Sequence, residues 1–266
     1  MTIVGLGAME RVLATRLPSD GHRVTVWNRT PSRARPMAEA GATIVDSVEA
    51  AVTASNLVVV CLLDADPVHE QLDPVVDSLA GRTVVNVTTT TPNEARDLSV
   101  WAQRHRINFV DGGIFATPDM IGTPSSTVLH SGDELTLDRY RTVLEGFGRT
   151  TFVGADPGAA ALYDSAMPGA MYAMFAGFEQ GARMVRTVGG SAEWLAEMAT
   201  PFLQATATAL AEQARQIDSP DEFEPVQTVE FTRDAIDLLN RSAIDASQSP
   251  DLMNATSSLL GQELVR

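Results

Sequence analysis

The chain has 266 residues, of which 44% are hydrophobic and 20% charged; it can bury one or two globular cores, and its formal net charge of −15 repels nucleic acid and anionic membranes. It contains no lysine, which excludes Schiff-base catalysis and any lysine general acid. Its four histidines lack partners at metal-ligand spacing, and its single cysteine, Cys61, lies in an apolar run, so we expect neither a metal site nor an intrachain disulfide.

The first half of the chain, up to about residue 155, alternates short β-branched runs with helical stretches. Such alternation predicts an α/β fold, a doubly wound sheet of parallel strands covered by helices. The predicted strands are TIVGL, RVTVWN, ATIVD, LVVVCLL, TVVNVT, NFVDGGI, STVLHSG and TTFVG. The first of them begins without a basic leader, and no apolar run approaches the roughly 18 residues of a membrane span, so we expect a cytoplasmic protein.

The composition changes near Pro157. A run of some thirty residues rich in Ala and Met follows, GAAALYDSAMPGAMYAMFAGFEQGARMVRTVG, and the remainder also has a helical pattern. We therefore predict two domains, an α/β domain over residues 1–156 and an all-α domain over residues 157–266 that begins with one long helix.

A glycine-rich turn follows the first predicted strand. Gly5 and Gly7 occupy the first two positions of a dinucleotide-binding turn, but Glu10 stands where a third glycine is expected. Two glycines after a strand can also form an ordinary turn. The position before a helical segment, with a second strand about twenty residues later, favours a dinucleotide site that Glu10 weakens without abolishing.

The end of the second strand carries cations and hydroxyl groups in place of an acid. An acid there would bind the ribose of NAD, whereas Asn28, Arg29, Thr30 and Arg33 suit the 2′-phosphate of NADP. The alternative is a solvated basic turn with a helix cap.

Four threonines, residues 88–91, follow the fifth strand at the edge of the sheet where α/β proteins bind ligands. We expect Thr88 and Thr89 to contact the cofactor, and the run can also cap the helix that begins at Pro92. The backbone of Leu62 and Leu63, after the fourth strand, is assigned to the adenosine side of the same site.

Several motifs together resemble the imine reductases, relatives of the β-hydroxyacid dehydrogenases with a 6-phosphogluconate dehydrogenase-like fold. The likeness extends from Thr2 to about Gln216 and is carried by GLGAM, WNRTPSRA, VVNVTTTTP, DGGIFATPDMIGTP and GADPGAAALYD. The resemblance implies NADP as cofactor, with Leu6, Ala8 and Met9 in the glycine turn, and reduction of an imine or iminium to an amine. It also implies that the DGGIFATP segment shapes a loop beside the nicotinamide, with Ala116 and Pro118 at the substrate.

The resemblance assigns the acid as well. Where the hydroxyacid dehydrogenases have a lysine, this chain has Asp164, which implies a proton donor or an anion that stabilises the iminium. Met167, Met171 and Phe175 share a helix face with Asp164 and are predicted to contact an apolar substrate, although they also suit a plain helix core. Pro168 is expected to bend the helix, because it cannot donate to the carbonyl of Asp164.

The family further implies a homodimer that exchanges C-terminal helices, and an apolar helical domain supports this expectation. Relatives usually extend beyond the SSLLGQELVR segment, so the resemblance implies a more open cleft as an expectation. Two alternatives stay open: a hydroxyacid-type dehydrogenase, disfavoured by the absence of lysine, and a descendant with weakened or lost cofactor use that acts as a non-redox enzyme or a binding protein.

Overall fold

The computed structural model describes residues 1–5, 7, 11–12, 14–15, 17, 21–219 and 229–262. Each of the eight predicted strand segments contains a strand. The strands are β1 (Thr2–Val4), β2 (Thr25–Trp27), β3 (Thr43–Ile44), β4 (Leu57–Val60), β5 (Thr83–Asn86), β6 (Asn108–Phe115), β7 (Thr127–Gly132) and β8 (Arg149–Phe152). The β-branched runs therefore located the strands, because such side chains fit a pleated, buried surface.

The strands form one sheet in the order β3-β2-β1-β4-β5-β6-β7-β8. Strands β1 to β6 are parallel and their order reverses between β1 and β4, which confirms the predicted doubly wound α/β fold. The prediction of parallel strands is wrong at β7, which runs antiparallel to β6 and pairs Gly113 with Leu129. The connection from Phe115 to Thr127 holds only a short 3₁₀ helix, Pro118–Met120, and so lacks the crossover helix that a parallel return needs.

The central strands are buried on both faces. Val58 and Val60 pack into one apolar cluster, while Val59 and Cys61 face the other. This alternation is the period of two that a strand imposes, and the complete burial accounts for the unbroken apolar run in the sequence. Cys61 packs here as a small hydrophobic residue.

Helices connect the strands and cover the sheet. The run Thr88–Thr91 does cap a helix: the hydroxyl of Thr91 accepts from the amide of Glu94, and the carboxylate of Glu94 accepts from the amide of Thr91. The helices of this part are α1 (Arg35–Glu39), α2 (Val48–Thr53), α3 (Ala65–Leu72), α4 (Val76–Leu79), α5 (Pro92–Arg104) and α6 (Glu134–Leu144). Arg11, Val12, Ala14, Thr15 and Leu17 are also helical.

The second part of the chain is helical, as predicted. Its elements are the long helix α7 (Ala159–Arg186), α8 (Ala192–Thr206), α9 (Leu210–Asp218), α10 (Val229–Asp245) and α11 (Asp251–Gln262). The chain divides into two compact units, Met1–Pro168 and Gly169–Arg266, at the proline inside α7. The domain limits drawn at residues 156 and 157 stay a prediction. Within the described ranges, no helix is long and apolar enough to cross a membrane.

Candidate active site

The turn after β1 is one that only glycine can form. Gly5 has a φ of +104°, and a Cβ added there would lie 2.1 Å from the carbonyl oxygen of Cys61. Its amide donates to the carbonyl of Trp27 at 3.1 Å, so the turn is held between the ends of three strands. Gly7 lies in a bend just beyond. The predicted cofactor residues Leu6, Ala8 and Met9, and the unusual Glu10, lie outside the described residues.

The end of β2 presents exposed cations. The amide nitrogen Nδ2 of Asn28 donates to the carbonyl of Thr30 at 2.9 Å and so closes the turn that carries Arg29. Thr30 precedes the 3₁₀ helix Pro31–Arg33, and among the described atoms its side chain makes no capping hydrogen bond. The hydroxyl of Thr30 therefore does not cap this helix, and the exposed cations fit both the 2′-phosphate site and a solvated basic turn, so the choice between them stays a prediction.

One acid approaches this basic turn, and sequence reasoning missed it. The carboxylate oxygen Oε2 of Glu70, on α3, lies 3.9 Å from Nη1 of Arg29. Both side chains are more than half exposed, so this pair contributes little to stability. Parallel strands bring α3 to the same edge of the sheet, which the sequence distance of forty-one residues between Arg29 and Glu70 conceals.

The ends of β4 and β5 are tied together by Thr88. Its buried hydroxyl accepts a hydrogen bond from the amide of Leu62 at 3.0 Å, and its own amide donates to Oδ1 of Asn86 at 3.3 Å. Leu62 is half-buried, whereas Leu63 is 82% exposed at the sheet edge. Thr88 thus has a structural role, and the next threonine, Thr89, is the exposed one.

Asp164, on α7, lies against Gly113 of β6. A Cβ added at Gly113 would lie 2.7 Å from the Cβ of Asp164, so only a glycine in the strand lets the helix approach this far. Asp164 is half-buried, and burial raises the pKa of its carboxyl, while a hydrogen bond with Thr89 acts in the opposite direction. Three predicted motifs, those of Thr89, Gly113 and Asp164, therefore meet at one point.

The start of α7 is fixed by side chains that the sequence analysis did not single out. The hydroxyl of Ser131, on β7, donates to the carbonyl of Pro157 at 2.8 Å and accepts from the amide of Ala160 at 3.0 Å. Arg96 makes a bidentate ion pair with Asp156, with distances of 2.9 and 2.6 Å. These contacts set the position of the helix one turn before Asp164, which is what a fixed acid requires.

A second carboxyl group beneath Asp164 was also missed. Asp111, on β6, is completely buried, and its Oδ1 accepts from Nδ2 of Asn86, its register partner on β5, at 2.8 Å. Burial first, and then the negative charge of Asp164, raise the pKa of Asp111 to about 7, against the opposing hydrogen bond from Asn86. The sequence signal that could have found Asp111 is an aspartate inside the predicted strand NFVDGGI, because charged residues are rarely buried without a partner.

The predicted substrate residues are distributed over two regions. Gly112 and Gly113 belong to strand β6, within the predicted strand NFVDGGI, and the loop that this segment is expected to shape begins at Ala116. Ala116 is half-buried and Pro118 exposed. On α7, Met167 is exposed; in the second unit Met171 and Phe175 are exposed as well. The helix is continuous through Pro168.

Fold and site define a class of protein: a doubly wound nucleotide-binding domain followed by a helical domain, with an acid on the long helix that begins it. Residues 1–154 match the family model for the NAD binding domain of 6-phosphogluconate dehydrogenase. Residues 156–264 match the family model for the C-terminal domain of NADPH-dependent reductive aminase-like proteins. The chain therefore belongs to the family of reductive aminases and imine reductases, as the sequence motifs indicated.

Individual relatives are similar over nearly the whole chain. An NADPH-dependent reductive aminase of Aspergillus oryzae is 35% identical over 223 residues, which cover 82% of this chain and 76% of that protein. The structure of a reductive aminase from Aspergillus terreus, in complex with NADPH and ethyl-5-oxohexanoate, matches with a TM-score of 0.90 and 38% identity, over 99% of this chain and 92% of that one. An imine reductase from Myxococcus stipitatus, in complex with NADP⁺, matches with a TM-score of 0.88 and 29% identity, over 99% of this chain and 93% of that one.

Proposed function

We propose that the protein is an NADPH-dependent imine reductase or reductive aminase that converts the C=N bond of an imine or iminium into an amine. The observation that carries the proposal is the match to reductive aminases over 99% of the chain. The position of Asp164, at the close approach of α7 to β6, supplies an acid for that reaction. A hydroxyacid-type dehydrogenase would differ from this proposal in its acid, and a non-redox descendant would differ in its use of the cofactor. Both differences can be tested.

The residues at the strand ends fit a dinucleotide. Gly5 leaves no room for a side chain between β1 and β4, so a ligand's pyrophosphate can approach the backbone there, at the point where the strand order reverses. We assign Gly5 and Gly7, with Leu6, Ala8 and Met9 between and after them, to the pyrophosphate. Arg29, Arg33, Asn28 and Thr30 would hold the 2′-phosphate, Leu62 and Leu63 the adenosine side, and the exposed Thr89 the nicotinamide side, with the buried Thr88 fixing the strand end behind it.

The reduced nicotinamide, when bound, supplies a hydride to the imine carbon. Asp164 favours the electrophilic iminium form: as an acid it donates a proton to the imine nitrogen, which draws electron density from the carbon, and as an anion it stabilises the resulting cation. The raised pKa of Asp164 keeps its proton on the carboxyl at a higher pH than an ordinary aspartate would. We assign Ala116, Pro118 and Met167, and in the second unit Met171 and Phe175, to contacts with an apolar substrate; none of these side chains carries a charge.

The test compares Asp164→Ala with the wild-type protein. Loss of an acid group costs about 10²-fold or more in rate, so we expect that loss in the reduction of a cyclic imine, with NADPH affinity nearly unchanged. Asp97→Asn, which removes an exposed carboxylate on α5, is the control for a general loss of charge. Imine reduction at the parental rate in Asp164→Ala would contradict the role of this acid, and absence of saturable NADPH binding to the wild type would favour the non-redox alternative.

We also propose that the protein forms a homodimer, with exchanged C-terminal helices. Large apolar side chains are exposed on the described part of the helical unit, among them Tyr172, Phe175, Trp194, Phe202 and Phe231. A monomer rarely leaves so many exposed, because each is better buried against a partner. Light scattering coupled to size-exclusion chromatography should give twice the chain mass of 28.4 kDa. The cytoplasmic location stays a prediction.

A further inference from the structure

Asp111 has a position for which the protein fold alone gives no reason. Its side chain is completely buried, and its oxygen Oδ1 is held by Asn86 at 2.8 Å. The other oxygen, Oδ2, finds no hydrogen-bond partner among the described residues. An unpaired carboxylate oxygen in a sheet costs folding free energy, so a purely structural role would be better served by an apolar residue.

The surroundings of Asp111 connect it to the proposed acid. Its register partner on β7 is Ser131, whose hydroxyl holds the first turn of α7, and two residues further along β6 is Gly113, which contacts Asp164. Alternate residues of a strand face the same side, so Asp111 and Gly113 both lie beneath the helix that carries Asp164. The groups that face the Asp111 carboxyl are thus the neutral Asn86 and Ser131, the amide of Gly112 and the acidic Asp164.

We propose that Asp111 is a positioning residue that acts through Asp164: the two carboxyl groups form one coupled acid pair, and the charge of Asp111 sets how much negative charge faces the iminium nitrogen. Two carboxylates in one poorly solvated site oppose each other's ionisation. Asp164, the more exposed of the two, ionises first. While Asp111 keeps its proton, the site carries one negative charge; once Asp111 has lost that proton, the site carries two. This proposal rests on the proposed function only for the identity of the cation.

The coupling is tested by ¹³C NMR titration of aspartate-labelled protein without cofactor or substrate. We expect a carboxyl resonance in the wild type that titrates near pH 7, in line with the raised pKa of Asp111, and that is absent in Asp111→Asn. In Asp164→Asn the midpoint of this resonance should fall by about one pH unit or more, because the neighbouring negative charge is gone. Asp97→Asn should leave it unchanged.

Two results would overturn the coupling: a midpoint in Asp164→Asn equal to that of the wild type, or survival of the resonance in Asp111→Asn. Asparagine keeps an oxygen that can accept from Asn86, and circular dichroism and thermal unfolding verify that each variant is folded. These measurements need neither NADPH nor an imine, so their failure is distinguishable from a failure of the proposed function.

The consequence for the substrate is tested with an N-methyl cyclic iminium salt, whose charge does not depend on pH. The wild type should bind it roughly fivefold more tightly at pH 8 than at pH 6, because the second negative charge appears in this range. Asp111→Asn should bind it equally at both pH values. Equal binding at both pH values by the wild type would overturn the role of Asp111 toward the substrate, even with the coupled titration intact.

Discussion

Adding one methyl group at Gly113 should displace Asp164. A Cβ at residue 113 would lie 2.7, 2.9 and 3.0 Å from the Cβ, Cγ and Oδ1 atoms of Asp164. Carbon atoms in contact normally stand about 3.5 to 4.0 Å apart, so helix and strand must separate by about 1 Å. A displacement of that size in a reacting group can lower the rate about 10²-fold, and overpacking of this kind costs about 1 to 3 kcal/mol of stability.

Gly112→Ala is the matched control. Its added Cβ would lie 2.9 Å from Nδ1 of His130 and 3.0 Å from the carbonyl oxygen of Leu129, a similar clash on the opposite face of β6. Both variants should lose stability, but only Gly113→Ala should lose most of its kcat. Imine reduction is followed by NADPH absorbance, NADPH affinity by fluorescence titration, and stability by thermal unfolding. If Gly113→Ala keeps its kcat within about threefold of the wild type, Asp164 does not need the position that the structure gives it.

Two further predictions concern the cofactor. Arg29→Ala should weaken NADPH binding by at least about tenfold and leave NADH binding nearly unchanged, because only NADPH carries the charged 2′-phosphate that the guanidinium would pair with; equal losses in parallel titrations would contradict the assignment. Glu10→Gly should tighten NADPH binding by roughly 1 to 2 kcal/mol, because the sequence predicts Glu10 in the first turn of the helix that receives the pyrophosphate, where a carboxylate would repel it. Titration at low and high salt tests this, and unchanged affinity would mean that Glu10 is accommodated without conflict.

The sequence predicted those features that depend on local composition. Apolar β-branched runs identified all eight strands, and the Ala-rich run identified the 28-residue helix α7. The convergence of Thr89 and Asp164 depended in addition on a resemblance, because no local pattern relates a strand end to a residue 75 positions further along the chain. Strand direction at β7 was missed because it depends on the connection after Phe115 and not on the strand's own residues.

The parts of the site that escaped prediction are pairings across the sheet. Asp111 is a buried acid because β5 places Asn86 beside it, and Arg29 meets Glu70 because the order of strands brings α3 to the end of β2. In both cases the partner lies at least 25 residues away. The sequence could at most indicate that Asp111 is a buried acid; its partner, and that of Arg29, are properties of the assembled sheet and are seen only in the structure.

The buried carboxyl of Asp111 should make the stability of the protein depend on pH with a predictable sign. Burial and the charge of Asp164 raise the pKa of Asp111 from the ordinary 3.8 to about 7 in the folded chain. Between these values the folded protein keeps a proton that the unfolded chain has lost, so this group's contribution is fully present below about pH 4 and falls as the pH rises toward 7. At about 1.4 kcal/mol per pKa unit, roughly 3 kcal/mol of it should be lost between pH 5 and pH 8.

The asparagine of Asp111→Asn cannot titrate. The difference in unfolding free energy between variant and wild type should therefore shift by roughly 3 kcal/mol in favour of the variant between pH 5 and pH 8. Urea unfolding at pH 5, 6, 7 and 8 measures the difference, and Asp97→Asn, which removes an exposed carboxylate, should show little change. Comparing differences removes the contributions of the titrating groups that do not interact with Asp111, and leaves those of Asp111 and of its coupled neighbour Asp164. A difference between Asp111→Asn and the wild type that stays constant with pH would show that Asp111 is already charged in the folded protein at neutral pH, because only a retained proton produces the slope.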